Sequence, residues 1–202
     1  MSVMLSAASC LDWVAKLTGI RSVAELLKEV ENSTPAEAPL WFLPYLSGER
    51  TPHNNPEAKG AFWGLTHEHQ RADLCRAVLE GVGYALADGM DVLHATGLKP
   101  HSITLIGGGA RSAYWRQMLA DISGQTLEYR TGGDVGPALG AARLAQIALH
   151  PNTPLADLLP ELPLEQMHKP DASRHACYQK RRKVFRELYK VLEPLTAQTM
   201  SM

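Results

Sequence analysis

The stretch LIGGGARSAYW, residues 105–115, decides how the rest of the chain is read. A short apolar run enters three consecutive glycines, and a helical pattern starts near Ser112. Gly107, Gly108 and Gly109 lack a Cβ, so the backbone can take positive φ and a ligand can approach it closely. The helix beyond would offer free N–H groups and a positive dipole end, which suits an anion. A sharp strand-to-helix turn with no ligand explains the same residues, so the surrounding chain has to choose.

Working outward, SITLIGG reads as a buried strand and 112–123 as the helix after it. TLEYR is a second strand, and GPALGAARLAQIAL a second helix with Pro137 suited to its first turn. Strand–helix–strand–helix argues for an α/β layer with parallel strands. Upstream, 69–95 is the longest helical pattern, with Leu74, Val78, Leu79, Val82, Leu86 and Met90 on one side. Gly81, Gly83 and Gly89 weaken its propensity, which makes sense where another backbone packs closely. Residues 3–17 read as an amphipathic helix, and Ser22 caps a second one with Glu25 as capping-box partner. Residues 40–66 read as short extended pieces around a long loop, and 151–170 as proline-rich with little regular structure. A final helix over 172–193 packs through Tyr178, Phe185, Leu188 and Leu192. One domain is the simplest account, although a layer with so few strands looks incomplete.

Composition excludes several classes. The 202 residues carry a net charge of −1, so no basic field invites nucleic acid or an acidic membrane surface. Cys10, Cys75 and Cys177 are odd in number and without a CxxC, which fits a reducing compartment. No apolar run is long enough to span a bilayer, and Asp12 and Lys16 interrupt the N-terminal run as they would not in a signal peptide. A cytoplasmic location is expected.

The chemical motifs are few. Gly107, Gly109 and Ser112 give G-x-G-x-x-S, one position short of a dinucleotide fingerprint, and the next strand ends in Arg130 rather than an acid. His67 and His69 have no third ligand at zinc-like spacing and read as a solvated loop. KRRKVFRELYK, 180–190, reads as the wet face of a packed helix, and Asp88 and Asp91 as a solvated pair. GPALGAA, 136–142, reads as a place where a helix presses close to a sheet or loop. No Gly-x-Ser-x-Gly elbow or Walker loop occurs, and nothing in the spacing of Asp88, Asp91, Asp121 or Asp134 singles out a general base.

Three stretches taken together carry a resemblance. GAFWGLTHEHQRADLCRAVLE, 60–80, resembles the second signature of the FGGY carbohydrate kinases through Gly60, Phe62, Gly64, Leu65, Asp73, Leu74, Ala77, Val78, Leu79 and Glu80. LIGGGARSAYWRQMLADISG is similar to that family's adenosine-binding loop and its helix, and GPALGAARLA to the helix closing the nucleotide side. PYLSGERTPHNNPEAKGAFWGL resembles the branch acting on D-xylulose. The resemblance implies an actin-like (ribonuclease H-like) ATPase domain with an incomplete sheet, the C-terminal half of a two-domain sugar kinase. It implies one partial domain over 1–202: a helical lead-in at 1–32, an ATP-side core at 40–150, and a tail with helix at 151–202.

By the same resemblance Gly107 opens the nucleotide-binding stretch, Gly108, Gly109 and Ala110 line adenosine and the α-phosphate through their backbone, and Arg111, Ser112 and Ala113 lie near the base. A side chain at Gly109 is then expected to fill nucleotide space. ATP or ADP is the expected ligand, with Mg2+ held through the phosphates and D-xylulose bound in the complete enzyme. Glycerol, gluconate and ribulose are alternative sugars, and a non-catalytic nucleotide module is an alternative role. The catalytic aspartate, the sugar pocket and the hairpin for the β- and γ-phosphates are expected outside this chain, so no residue here is assigned a catalytic or metal role. The isolated chain is then expected to be inactive, with nucleic acid and membrane excluded as partners and a homodimer compatible with the family.

Overall fold

A computed structural model describes residues 1–133 and 136–199; Asp134 lies outside them. Helix α1 (Ser9–Leu17) is followed by α2 (Val23–Asn32), where Ser22 accepts from the Glu25 N–H at 3.2 Å. The hydroxyl supplies the expected cap, but the Glu25 carboxylate turns to Arg21 at 3.3 Å instead of closing the box. Residues 3–8 are not helical as their periodicity predicts. The backbone of Val3 pairs with Thr51, and the Leu5 N–H donates to Glu49 Oε1 at 3.1 Å. Those donors gain fixed partners along the 49–51 loop, which one more turn of exposed helix could not offer.

Strands β1 (Trp41–Leu43) and β2 (Ala61–Trp63) form an antiparallel ladder, the extended pieces expected around the loop. Helix α3 (Arg71–Ala95) is the spine of the molecule, with Gln70 and Asp73 closing a capping box at its start. It is buried along its middle against α1, α2, β1 and α4 (Ala113–Ser123). Two of its glycines explain that closeness. A Cβ at Gly81 would fall on the Phe42 carbonyl, and one at Gly83 would lie 2.5 Å from the Ile122 side chain. Small size at these positions lets β1 and α4 reach the helix axis.

The second half departs from a simple parallel layer. The 102–108 segment makes a single parallel bridge, Thr104 to Glu128 of β3 (Leu127–Arg130). The expected orientation is present there over one residue pair. The proline-rich 151–170 region is more regular than its composition predicts. It holds a short helix α6 (Leu155–Leu158) and a strand β4 (Leu164–His168) that runs antiparallel to β3. Partner-bought order of this kind is not visible in local propensity. Helix α5 (Gly136–Leu149) has no buried residue, although Gly136 lies on Ile106 as the small-residue stretch predicts.

Helix α7 (Ala172–Thr199) runs further than expected, with Pro194 inside it. Phe185 and Leu188 are buried, and Tyr178 and Leu192 are partly buried against the core. Its basic run is a wet face only in part: Lys180, Lys183, Arg186 and Lys190 are exposed but Arg182 is buried, and of the acidic pair Asp91 is exposed while Asp88 is not. Arg182 and Asp88 are 5 % and 4 % exposed and meet at 2.6 Å; Arg186 reaches Asp88 at 2.7 Å, and Arg182 reaches Asp91 at 2.7 Å. Arg181 meets the buried Glu80 at 2.7 Å, with the Tyr84 hydroxyl donating to the same carboxylate oxygen. Burial raises the Glu80 pKa while Arg181 and Tyr84 oppose it. The two charge runs that look solvated separately are each other's partners.

Cys10 and Cys75 are buried, and burial reinforced by nearby Glu49 pushes the Cys10 thiol up to about 12. Cys177 is exposed. In the folded chain, a thiol reagent is expected to modify Cys177 rapidly and the other two only on denaturation; three fast equivalents would contradict this packing. Removing Asp88 strands the Arg182 guanidinium with only the half-exposed Asp91. Asp88→Ala is therefore expected to lower unfolding free energy by about 3 kcal/mol in urea titration. A change below about 0.5 kcal/mol, the scale of an exposed pair, would show that α7 is held otherwise.

Candidate functional site

The glycine loop hangs between two anchored elements. Gly107 takes φ 94°, and its N–H donates to the Gly133 carbonyl at 2.7 Å, tying the loop to the turn after β3. A short 3-10 turn (Gly108–Arg111) follows, in which the Ala110 N–H donates to the Gly107 carbonyl at 3.0 Å. Ser112 then caps α4 by accepting from the Trp115 N–H at 3.2 Å.

The seven expected site residues thus lie in one continuous feature, but they are not equivalent. Ala110 is buried, its N–H donating within the loop and its carbonyl accepting from Arg116 of α4. The Ser112 hydroxyl is occupied as the cap, and Gly107 spends its N–H on Gly133. Arg111 and Ala113 are exposed. Gly108 is exposed, and nothing lies within 4 Å of where its Cβ would sit. The N–H groups of Gly108 and Gly109 lead the turn, where no carbonyl of the turn can reach them.

Gly109 differs from expectation. A Cβ there would fall on the Trp115 ring, so the space belongs to an indole of this chain rather than to a nucleotide. The indole cannot easily yield. It is 3 % exposed, and its Nε1–H points at the Leu79 carbonyl of α3 at 3.4 Å.

Behind the loop stands Arg116, which the sequence reading did not single out. Its Nη1 donates to the Ala110 carbonyl, its Nη2 to Gln166 Oε1, and its Nε to His168 Nε2 at 2.9 Å. The guanidinium also lies 4.0 Å from the Tyr129 ring centroid. Because His168 accepts at Nε2, its Nδ1 carries the proton and donates to Gln117 Oε1 at 3.2 Å, a tautomer fixed by the network. Burial lowers the His168 pKa, and Arg116 lowers it further, so the ring is neutral near pH 7. One signal of this brace was available in the sequence. Arg116 follows Ser112 by four residues and sits on the face that Leu119 and Ala120 bury.

Beside the loop, a cleft of about 330 Å³ opens between the 102–106 segment and α5, bounded by Arg130, Gly133, Gly136 and Arg143. Its arginines are engaged. Arg130 pairs with Glu128 at 2.7 Å and Glu161 at 2.8 Å, and Arg143 donates to the Pro160 carbonyl at 2.8 Å.

Two further chemical candidates have structural partners. His69 accepts from the Thr66 N–H at 2.9 Å and its other ring nitrogen meets the Ala38 carbonyl at 2.9 Å, joining two loops. Asp121 accepts from the Asp171 N–H at 2.8 Å at the start of α7 and pairs with Arg174 at 3.2 Å. Among the described residues no three His, Cys, Asp or Glu side chains are grouped to hold a metal, and no helix is long and apolar enough to cross a membrane.

A braced glycine turn thus leads into a capped helix on an α/β frame. Residues 3–149 match the C-terminal domain of the FGGY family of carbohydrate kinases, and the chain belongs to that family. It is 71 % identical over 197 residues to a protein of Escherichia coli strain K12 named xylulose kinase, covering 98 % of this chain and 41 % of that one. Among solved structures it is similar to a Brucella ovis protein described as a xyloylose kinase, at TM-score 0.85 and 37 % identity, over 96 % of this chain and 40 % of the other. A ligand-bound xylulose kinase from Lactobacillus acidophilus is similar at TM-score 0.82 and 28 % identity, over 97 % and 40 %. The chain spans about two fifths of the length of these relatives.

The signature residues have structural work in this frame. Asp73 caps α3 and Glu80 holds α7, while Gly64 takes φ 95° against the Pro39 carbonyl. Gly109→Ala is expected to destabilise the fold by about 1–3 kcal/mol through overpacking on Trp115. Thermal unfolding would check it, and an unchanged midpoint would mean the indole moves freely.

Proposed function

We propose that this chain is the ATP-side part of an ATP:D-xylulose phosphotransferase. In the complete enzyme it holds the nucleotide while xylulose 5-phosphate forms across the cleft. The observation that carries the reading is the open side of Gly108, beside the leading amides of a turn anchored through the Gly107 N–H, the Ala110 carbonyl and the Ser112 cap. Backbone held from behind, with unobstructed glycines at 107 and 108 in front, is what close approach of a nucleotide needs. Relatives named xylulose kinases support the sugar.

In this reading the chain's residues bind and orient. The Gly108 and Gly109 amides face the adenosine and α-phosphate, and the capped start of α4 adds the positive end of its dipole. Arg111, Ser112 and Ala113 border the base. Mg2+, when bound, supplies charge neutralisation at the phosphates and rides on the nucleotide, with no ligand assigned from this chain. Phosphoryl transfer depends on positioning around the γ-phosphate and on a base at the sugar hydroxyl. With those groups assigned to the rest of the enzyme, the isolated chain binds without turnover. The lead-in at 1–32, the core at 40–150 and the tail at 151–202 act as one unit. A cytoplasmic location and a homodimer accompany the same reading.

The test is titration calorimetry with MgADP on the wild-type chain and on Gly108→Leu, beside a coupled assay for xylulose-dependent ATP consumption. The wild-type chain is expected to bind and Gly108→Leu to lose binding while keeping its unfolding midpoint, since its side chain enters open space. Turnover is expected in neither. Equal MgADP affinity in both proteins would remove the loop from the nucleotide site.

A further inference from the structure

The Arg116 network is placed to do more than stabilise a strand. Arg116 is 5 % exposed, has no carboxylate partner among the described residues' ion pairs, and divides its three donor contacts between the glycine loop and β4. One donor goes to the backbone of the glycine loop, at the Ala110 carbonyl. The other two go to β4, through Gln166 and His168. A planar fork can hold three acceptors in one plane, which an ammonium on a flexible stem cannot. The strand β4 lies far along the chain from the loop, and this side chain joins them directly.

We propose that Arg116 is a positioning residue for nucleotide binding, setting the loop at 107–112 through the Ala110 carbonyl, and that the His168 imidazole holds Arg116 in that pose and makes the pose sensitive to pH. The inference rests on the reading of the loop as the nucleotide site. When His168 takes up a proton it can no longer accept from Arg116 Nε, and two cations then face each other across the former hydrogen bond. The other charges around them are Asp121 on α4, which attracts the protonated ring and is itself engaged by Arg174 of α7, and Glu165 on β4, which acts on Arg116. Tyr129 of β3 covers the guanidinium face.

The sign follows from which form is favoured. Burial and Arg116 hold the folded-state value of His168 below that of the free side chain. The released state therefore binds more protons, and the braced loop loses support as pH falls below the ordinary histidine range. Above that range the brace is fully present.

The experiment uses the full chain with MgADP as the probe. Affinity by calorimetry is measured from about pH 8 to about pH 5, bracketing histidine titration, for wild type, Arg116→Lys and His168→Gln. Amide exchange of residues 107–112 is measured without nucleotide. Arg116→Lys is expected to weaken MgADP by at least about tenfold, the scale of a lost charged hydrogen bond, and to speed exchange in the loop. His168→Gln offers an amide oxygen to Arg116 and does not titrate, so its affinity should fall less on acidification than that of wild type. The titration of ADP itself is common to both and cancels in that comparison.

Wild-type affinity and loop exchange in Arg116→Lys would overturn the positioning role. An identical pH profile in His168→Gln and wild type would overturn the role of the imidazole. Failure of the wild-type chain to bind MgADP would instead overturn the nucleotide reading, and the exchange rates would still decide whether Arg116 holds the loop. Should Arg116→Lys fail to fold, the His168→Gln pH comparison carries the decision.

Discussion

Helix α7 is joined to α3 by three arginines on one helix meeting three carboxylates on the other. Arg181 takes Glu80, and Arg182 and Arg186 share Asp88 and Asp91. Buried ion pairs add little net stability over a well-packed apolar contact, because desolvation offsets their attraction. Their strength lies in what they forbid. Displacing α7 along α3 would take Arg181 from the buried Glu80 carboxylate and break the shared hold of Arg182 and Arg186 on Asp88, so the pairs favour the register in which Phe185 and Leu188 are buried.

That register reaches the candidate site through α3. The helix meets β1 where Gly81 admits the Phe42 carbonyl, and meets α4 where Gly83 admits Ile122. Trp115 of α4 then points its indole N–H at the Leu79 carbonyl and closes off the space beside Gly109. The glycine loop is therefore seated on α3 by an aromatic wedge, and its inner face is filled by the protein itself. The outer side at Gly107 and Gly108 is left clear.

The far side of the loop is held by β4 through Arg116. A segment whose composition promises only coil becomes a strand because β3 offers it a ladder and Arg116 offers it two donors. The gain comes from partners distant in sequence, which no local window contains. The same reason explains the first eight residues, where Glu49 and Thr51 outcompete a helical pattern for the backbone donors of Leu5 and Val3.

By itself the sequence determined the long helix over α3, the helix after the glycines, the capping serine at 22, and extended pieces between residues 40 and 66. These follow from periodicity and from caps that act within a few residues. It also carried the family resemblance and located the glycine loop. What it could not decide was the partnership of side chains. The basic run of α7 and the acids of α3 each read as solvated, because charge alone does not tell whether its partner is water or another helix. Gly109 read as ligand space, because a missing Cβ does not tell what fills the gap. Arg116 read as part of a helix, because its acceptors lie in the loop before it and in a strand fifty residues on. Tertiary structure decided all three, since the answer in each case is an atom brought near by the fold rather than by the chain.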